Sequence, residues 1–391
     1  MIKRLHKSAL RIYWHVCQYP WNTIVNIGFA ALLYALALRY GRSIQISLLR
    51  ELCTSSGTDS LHHFFRLTFE VLTSYIFFTA LTMLILLPLI SHKGLVLNIL
   101  GYTFFYWFLF FPLHLLIDVS QNEFWPQPFR VGMAILIIII FMIFATSLFY
   151  FPNSIKRVYL SFKTSKINNA VRIVHLSDVH VENFGQRETR LLSIVNELHP
   201  DVILISGDLL VVPCTRNTKS YEAAVRLMKN LTAKFGIYIV EGHHDINKTG
   251  YIAEAFKTKV KALRDEWYHF SAHGINLSLF GAQLQSRKTN FAKDEILDDF
   301  KIFFAHGPAL VKNLTSSDFD LALFGHTHAS QVYLPFISYL LVGKYRHGLY
   351  NYKNILFYVN SGIGLEGYLA PRIRWFTFPE VAVIDLIPEA L

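Results

Sequence analysis

The sequence predicts a membrane region of four helices followed by a separate α/β domain. Three observations carry this prediction. Charge is divided unevenly: residues 1–153 hold 10 Lys/Arg and 5 Asp/Glu, which leaves 27 and 22 of the totals of 37 and 27 for residues 154–391. The charge-poor part contains four long apolar runs. After residue 171, short apolar strands alternate with amphipathic stretches, and the strands end on Asp or His. At 391 residues the chain is long enough for two or more structural units.

The four runs are residues 21–38, 69–90, 95–117 and 131–152. Each approaches or exceeds the ~20 apolar residues that cross a hydrocarbon core of about 30 Å as helix. Four such runs with almost no interior charge argue against buried helices of a soluble core. The first is not a cleavable signal, being long, late in starting and without a small-residue cleavage site. Basic residues set the expected orientation. The N-terminus, the 91–94 loop and the region after 152 carry Lys3, Arg4, Lys7, Arg11, Lys93, Lys156, Arg157, Lys163 and Lys166, nine in all. The other side carries five, Arg39, Arg42, Arg50, Arg66 and Arg130. Both termini are therefore expected in the cytoplasm of a multi-pass protein, with the bilayer as partner. The spans hold few ionisable residues of the kind that line a transport pathway, His114 being the main exception.

Residues 154–170 read as a linker and 171–391 as the α/β domain. VRIVHLSDVH is a strand ending on Asp178 and His180. RETRLLSIVNEL is an amphipathic helix, DVILISGDLL a strand ending on Asp208, and SYEAAVRLMKNLTAKF a helix. GIYIVEGHHD is a strand running into His243, His244 and Asp245. KIFFAHGPAL ends on His306, and DLALFGHTHASQ on His326 and His328. Five consecutive apolar strands thus each end in Asp or His, at the strand ends where α/β sheets place ligands. One such end is weak evidence. Five in order would bury many polar groups, which need partners, and a bound metal pair is the simplest one. Net charge +10 fits phosphate-bearing substrates or anionic lipid, and no Lys/Arg run is dense enough for nucleic acid. The three cysteines are far apart and imply neither a disulfide framework nor a metal finger.

These blocks resemble the calcineurin-like metallophosphoesterases over about residues 170–388: D-x-H, G-D, a G-N-H-D/E-like GHHD, H, and G-H-x-H in order. GHTHASQVYLPF, HGLYNYKNILFYVNSGIG and RIRWFTFPEV resemble the closing part of a membrane-associated bacterial subgroup. The resemblance implies an αββα four-layer sandwich and two divalent metals, Mn foremost with Fe or Zn as alternatives. It implies that Asp208 bridges them, that Asp178, His180 and His328 complete one site, and that His243, His306 and His326 complete the other. The metals would activate a water for in-line attack on phosphorus. His244 would serve the leaving oxygen and Asp245 would orient His244. The sequence departs from the family pattern at His243, where the family has Asn, and at Val211, where an Asp often stands.

Weaker readings follow from single residues. His175 is expected as a packed core histidine and His199 as structural. Arg346 and His347, in an expected hairpin, are low-ranking candidates to touch substrate phosphate. The apolar stretch 332–345 is expected either to seat acyl chains or to be a hairpin packed on its own domain. The resemblance implies a phosphodiester or pyrophosphate hydrolase anchored in a bacterial inner membrane with its domain cytoplasmic. The specific expectation is UDP-2,3-diacylglucosamine, cleaved to the lipid monophosphate and UMP in lipid A synthesis. The alternatives are a general phosphodiesterase on envelope or nucleotide substrates, or a non-catalytic metal-binding membrane protein. No protein partner is inferred.

Overall fold

The structure, a computed structural model, describes residues 111–113, 115–116, 126–211, 219–245, 260–284, 299–314, 318–366 and 372–389. The expected spans 21–38 and 69–90, and 95–117 apart from five residues, lie outside the described residues, as does His114. The chain divides into two units, Met1–Thr146 with Gly367–Arg372, and Ser147–Glu366 with Ile373–Leu391.

In the first unit, α1 (Gln127–Ala145) starts at Pro126, whose fixed φ suits a helix start. The helical path continues through a π segment and a 3-10 turn to Asn153. This stretch is the one helix among the described residues that is long and apolar enough to cross a membrane. It coincides with the fourth expected span. Ile135, Leu136, Ile138, Ile139 and Met142 are exposed along it. A four-helix membrane region is thus an expectation of which the structure describes one helix.

The second unit contains two six-stranded sheets. The first comprises β1 (Lys156–Thr164), β2 (Val171–Leu176), β3 (Val202–Ile205), β4 (Ile237–Ile239), β5 (Val260–Ala262) and β12 (Glu380–Pro388), in the order β1-β12-β2-β3-β4-β5. β12 runs antiparallel to β2 and parallel to β1. The second comprises β6 (Glu266–Ala272), β7 (Ile275–Ala282), β8 (Phe300–Ala305), β9 (Leu321–Phe324), β10 (Gly348–Tyr352) and β11 (Ile355–Val359), in the order β10-β11-β9-β8-β7-β6. Between the sheets lie Ile173, Val202, Leu204 and Tyr238 from one and Leu279, Ile302, Phe304, Leu323 and Tyr358 from the other. The helices α2 (Gln186–Glu197) and α3 (Lys219–Asn230) cover the outer face of the first sheet through Leu191, Val195, Ala224, Leu227 and Met228. The central strands are apolar on both faces because both are covered, the pattern of parallel sheets.

On the outer face of the second sheet, where the four-layer expectation puts helices, the described residues supply the 3-10 segment Pro308–Asn313 and aromatic packing of Phe280, Phe303, Phe319 and Phe324. Three expectations need correction. The expected linker 154–170 contains an edge strand, β1, which alternates exposed and half-buried residues along its length. The five ligand-bearing strands are β2, β3, β4, β8 and β9, so they are not consecutive: β5, β6 and β7 intervene. The hairpin expected around residues 346–352 is β10–β11, and it turns at Lys353 and Asn354 with φ of 50° and 65°. Two adjacent left-handed residues are the geometry of a tight two-residue hairpin turn. The 332–345 stretch is not a hairpin: Pro335–Val342 is a short helix, α4, with Phe336 and Tyr339 exposed.

Candidate metal centre

The ends of β2, β3 and β4 in one sheet and β8 and β9 in the other converge. As the chain leaves these strands it adopts left-handed backbone at Asp178, His180, Asp208, His326 and His328, with φ between 44° and 73°. Such conformations in residues other than Gly cost on the order of 1–3 kcal/mol each and persist where the surroundings over-determine them. Two glycines show how close the backbones come. A Cβ at Gly325 would stand 1.6 Å from Ser177 Oγ, and one at Gly242 would stand 2.1 Å from Asp208 Oδ1. The glycine before His243 is therefore required by the Asp208 carboxylate packed against it.

The donor atoms fall into two sets. Asp178, His180 and His328 form one, His243, His306 and His326 the other, and within each set the ligand atoms lie within 4.8 Å of one another. Asp208 joins both sides, grouping with His180 and His244 and also with Asp178 and His306. Its Oδ2 stands 3.3 Å from His306 Nε2 and 3.8 Å from His180 Nε2, while Oδ1 accepts from the His244 amide at 2.8 Å. His180 Nε2 and His328 Nε2 are 3.1 Å apart, and His328 Nε2 is 3.5 Å from Asp178 Oδ1. The His243 and His326 rings are 4.7 Å apart, and both lie about 5 Å from the His306 ring (5.2 and 4.9 Å).

These side chains fit a pair of cations. Asp178 Oδ1 and His306 Nε2, both facing the centre, are buried and have no hydrogen-bond partner. Burying such atoms unpaired is costly, and cations held there would offset it. His306 is aimed for this: its Nδ1 faces the Ser206 carbonyl oxygen at 2.9 Å, which leaves Nε2 free for the centre. Burial would lower the His306 pKa, but the Asp208 carboxylate outweighs it and pushes it up to about 10. His326 is lowered to about 4 and His243 is lowered, both by burial first and then by His306. Neutral imidazoles are the metal-binding form.

Asp178 is held by the His326 amide at 2.8 Å and by the Ser177 hydroxyl, both donating to Oδ2. Behind it runs the 361–364 turn, whose Gly364 amide donates to the Asp178 carbonyl at 2.7 Å. The fully buried Arg374 ties this turn down by donating through Nη2 to the carbonyls of Ser361, Gly362 and Gly364 at 2.9–3.1 Å.

Asp245 does not play the part expected of it. Its carboxylate accepts from the amides of Leu209, Leu210 and Gly242 at 3.0–3.3 Å, so it braces the Asp208 turn and not the His244 ring. Burial and the nearby Asp208 push its pKa up to about 6, against the pull of the three amides. The carboxylate facing His244 is instead Glu366, with Oε1 3.8 Å from Nε2. Burial would lower the His244 pKa, but Glu366 and Asp208 outweigh it and raise it. Arg346 and His347 are engaged elsewhere. Arg346 donates to the Ala329 carbonyl at 3.0 Å and stacks 4.0 Å over Tyr333, and His347 Nε2 pairs with the buried Glu380 at 2.8 Å. His175 is the packed core residue expected, buried with Nε2 2.8 Å from Ser206 Oγ and lowered by burial to about 3. His199 closes α2 with Nδ1 2.9 Å from the Glu197 carbonyl oxygen.

Residues 171–330 match the family model described as calcineurin-like phosphoesterase. Over that span the chain is similar to the calcineurin-like metallophosphoesterases. It is similar to an uncharacterized metallophosphoesterase of Helicobacter pylori, 29% identical over 57% of this chain and 62% of that one. It is 27% identical to an uncharacterized metallophosphoesterase of Bacillus subtilis, over 60% of this chain and 86% of that one. A transmembrane protein with metallophosphoesterase domain from Bos taurus is 26% identical over 51% of this chain and 50% of that one. The chain thus spans less than two thirds of the Helicobacter and Bos relatives. Metallophosphoesterases bind divalent metal ions, and the two donor sets are this chain's candidate sites for such ions.

His243 is the member that tests the second set. It is exposed, and its imidazole packs on two others of the set. His243→Ala is expected to lower metal content by about one ion per chain, and His243→Asn to retain it. Elemental analysis of the purified variants checks this, and two ions retained in His243→Ala would remove His243 from the ligand set.

Proposed function

We propose that this protein is a membrane-anchored, dinuclear-metal phosphohydrolase that cleaves a phosphodiester or pyrophosphate bond in a lipid-linked substrate. The observation that carries the reading is the convergence of seven Asp and His donors from five strand ends around Asp208. Asp178, His180 and His328 would hold one divalent ion and His243, His306 and His326 the other. Bound there, the ions would supply positive charge to the reacting phosphoryl group and lower the pKa of a water. Mn is the metal we would add first.

The chain's own residues do the rest. His244 presents Nε2 at the rim, 4.0 Å from Asp208 Oδ2, where it can hold a proton for the leaving oxygen. Asp245, through three amides, keeps the Asp208 turn in register with it. The lipid part of the reading is supported by the apolar stretch Gln127–Asn153 and by Phe336 and Tyr339, exposed on α4 just after the His328 turn. UDP-2,3-diacylglucosamine, cleaved to the lipid monophosphate and UMP in lipid A synthesis, is the substrate we propose. The nine-to-five basic count supports a cytoplasmic domain on an inner membrane, where a nucleotide-linked precursor is available.

The test offers UDP-diacylglucosamine, its deacylated form and a chromogenic phosphodiester to the detergent-purified chain with Mn²⁺. We expect kcat/KM for the diacylated substrate to exceed that for the deacylated one at least about 10-fold. That needs only about 1.4 kcal/mol, or about two buried methylenes. Equal values would replace the lipid reading with a general phosphodiesterase, and no hydrolysis of any of the three would leave a metal-binding membrane protein.

A further inference from the structure

We propose that Glu366 is the positioning residue for His244, fixing the ring edge that faces the reacting phosphoryl group. The inference rests on the phosphohydrolase reading for its chemistry, but its geometry stands alone. Two carboxylates lie within ion-pair distance of His244 Nε2: Asp208 Oδ2 at 4.0 Å and Glu366 Oε1 at 3.8 Å. Asp208 belongs to the metal centre. Asp245, the neighbour in sequence, is committed to the amides of Leu209, Leu210 and Gly242. At the other end of the ring, His244 Nδ1 is buried with no hydrogen-bond partner. Among the described residues no hydrogen bond on that side orients the ring, so the orientation falls to the Nε2 edge. The His180 ring, edge-on at 5.0 Å between centroids, limits the ring's tilt without distinguishing its two nitrogens.

Glu366 is itself held in place. The Gln331 amide spans its backbone, donating from Nε2 to the Glu366 carbonyl and accepting the Glu366 amide at Oε1, both at 2.8 Å. Gln331 closes the turn that carries His326 and His328 and sits in left-handed backbone, φ 55°. Its carbonyl accepts from the Trp375 amide at 3.0 Å and the Thr377 hydroxyl at 2.6 Å. One residue therefore locks the carboxylate that faces His244 to the turn that bears two metal ligands. The Glu366 side chain is 40% exposed and that of His244 8%. Glu366 thus lies on the solvent side of the ring, the side from which a leaving group is approached.

A residue that aims a proton donor matters in proportion to how much the leaving group needs a proton. The experiment uses the full chain in detergent with Mn²⁺, comparing wild type with Glu366→Gln and Glu366→Asp on two phosphodiesters, one losing p-nitrophenol and one losing a simple alcohol. Expected for Glu366→Gln is a fall in kcat of about 10–10²-fold on the alcohol ester, the scale of lost outer-shell partners. On the p-nitrophenyl ester the fall should be under about 3-fold, with KM and metal content unchanged and partial recovery in Glu366→Asp. Equal losses on both esters, no loss, or a drop in KM alone, as relief of anion repulsion would give, would each overturn the proposal. A second readout needs no turnover. In ¹⁵N-histidine spectra of the metal-free chain, the His244 signal, identified by its loss in His244→Asn, should move in Glu366→Gln. An unmoved signal would overturn the positioning role whatever becomes of the phosphohydrolase reading.

Discussion

Asp208→Ala should abolish hydrolysis and release at least one metal ion. Asp208 groups with donors on both sides of the centre, its Oδ2 being 3.3 Å from His306 and 3.8 Å from His180. Removing that carboxylate leaves the buried His180 and His306 imidazoles without the negative charge that would hold cations between them. The expected loss is at least about 10³-fold in kcat/KM, about 4 kcal/mol on the barrier. The substitution also leaves the buried His244 amide without the acceptor it has at 2.8 Å, at a stability cost of about 1–3 kcal/mol. Asp208→Asn keeps an oxygen for that amide, so it separates loss of metal from loss of fold. Elemental analysis beside a thermal melt decides: two ions retained in folded Asp208→Ala would end the bridging assignment.

His244→Ala should behave in the opposite way towards metal. Its Nε2 is 4.0 Å from Asp208 Oδ2, and although it groups with His180 and Asp208 it belongs to neither of the two three-residue donor sets, so metal content should be unchanged. Turnover should fall by about 10²–10⁴-fold, the usual contribution of a positioned acid or base. Metal loss matching the loss of rate would show that His244 is a ligand.

These two residues follow different strands, β3 and β4, and meet through the His244 amide; they show where sequence is sufficient. The strands β2, β3, β4, β8 and β9, and the Asp and His residues at their ends, were legible because each signal is local. An apolar run long enough for a strand is followed by Gly-Asp, Gly-His, Ala-His or Ser-Asp, and a donor just past a strand end lies at the crevice above the sheet. The helices α2 and α3 were legible for the same reason, their apolar residues recurring at helical spacing on one face. The charge-poor N-terminal part was legible as apolar runs, of which the structure describes one.

Other assignments required the folded chain. β1 and β6 are half-exposed and β5 has three residues, and the pairing of β1 and β7 is set by neighbours farther along the chain, as Lys156 with Glu380 and Leu277 with Phe300 show. Arg346 and His347 looked available to substrate until the Ala329 carbonyl and Glu380 were placed beside them. Asp245 and Glu366 exchanged the roles that chain proximity suggests. Asp245 is adjacent to His244, yet the GHHD turn buries its carboxylate against the amides of Leu209 and Leu210. Glu366, 122 positions later (366 − 244), faces the ring because Gln331 carries its backbone there. The sequence by itself determined which side chains can hold metal, because strand ends and the glycines beside them are local features. Only the tertiary structure decided which carboxylate each of them meets, because a buried carboxylate is claimed by whichever amides and cations the packing brings within hydrogen-bond reach.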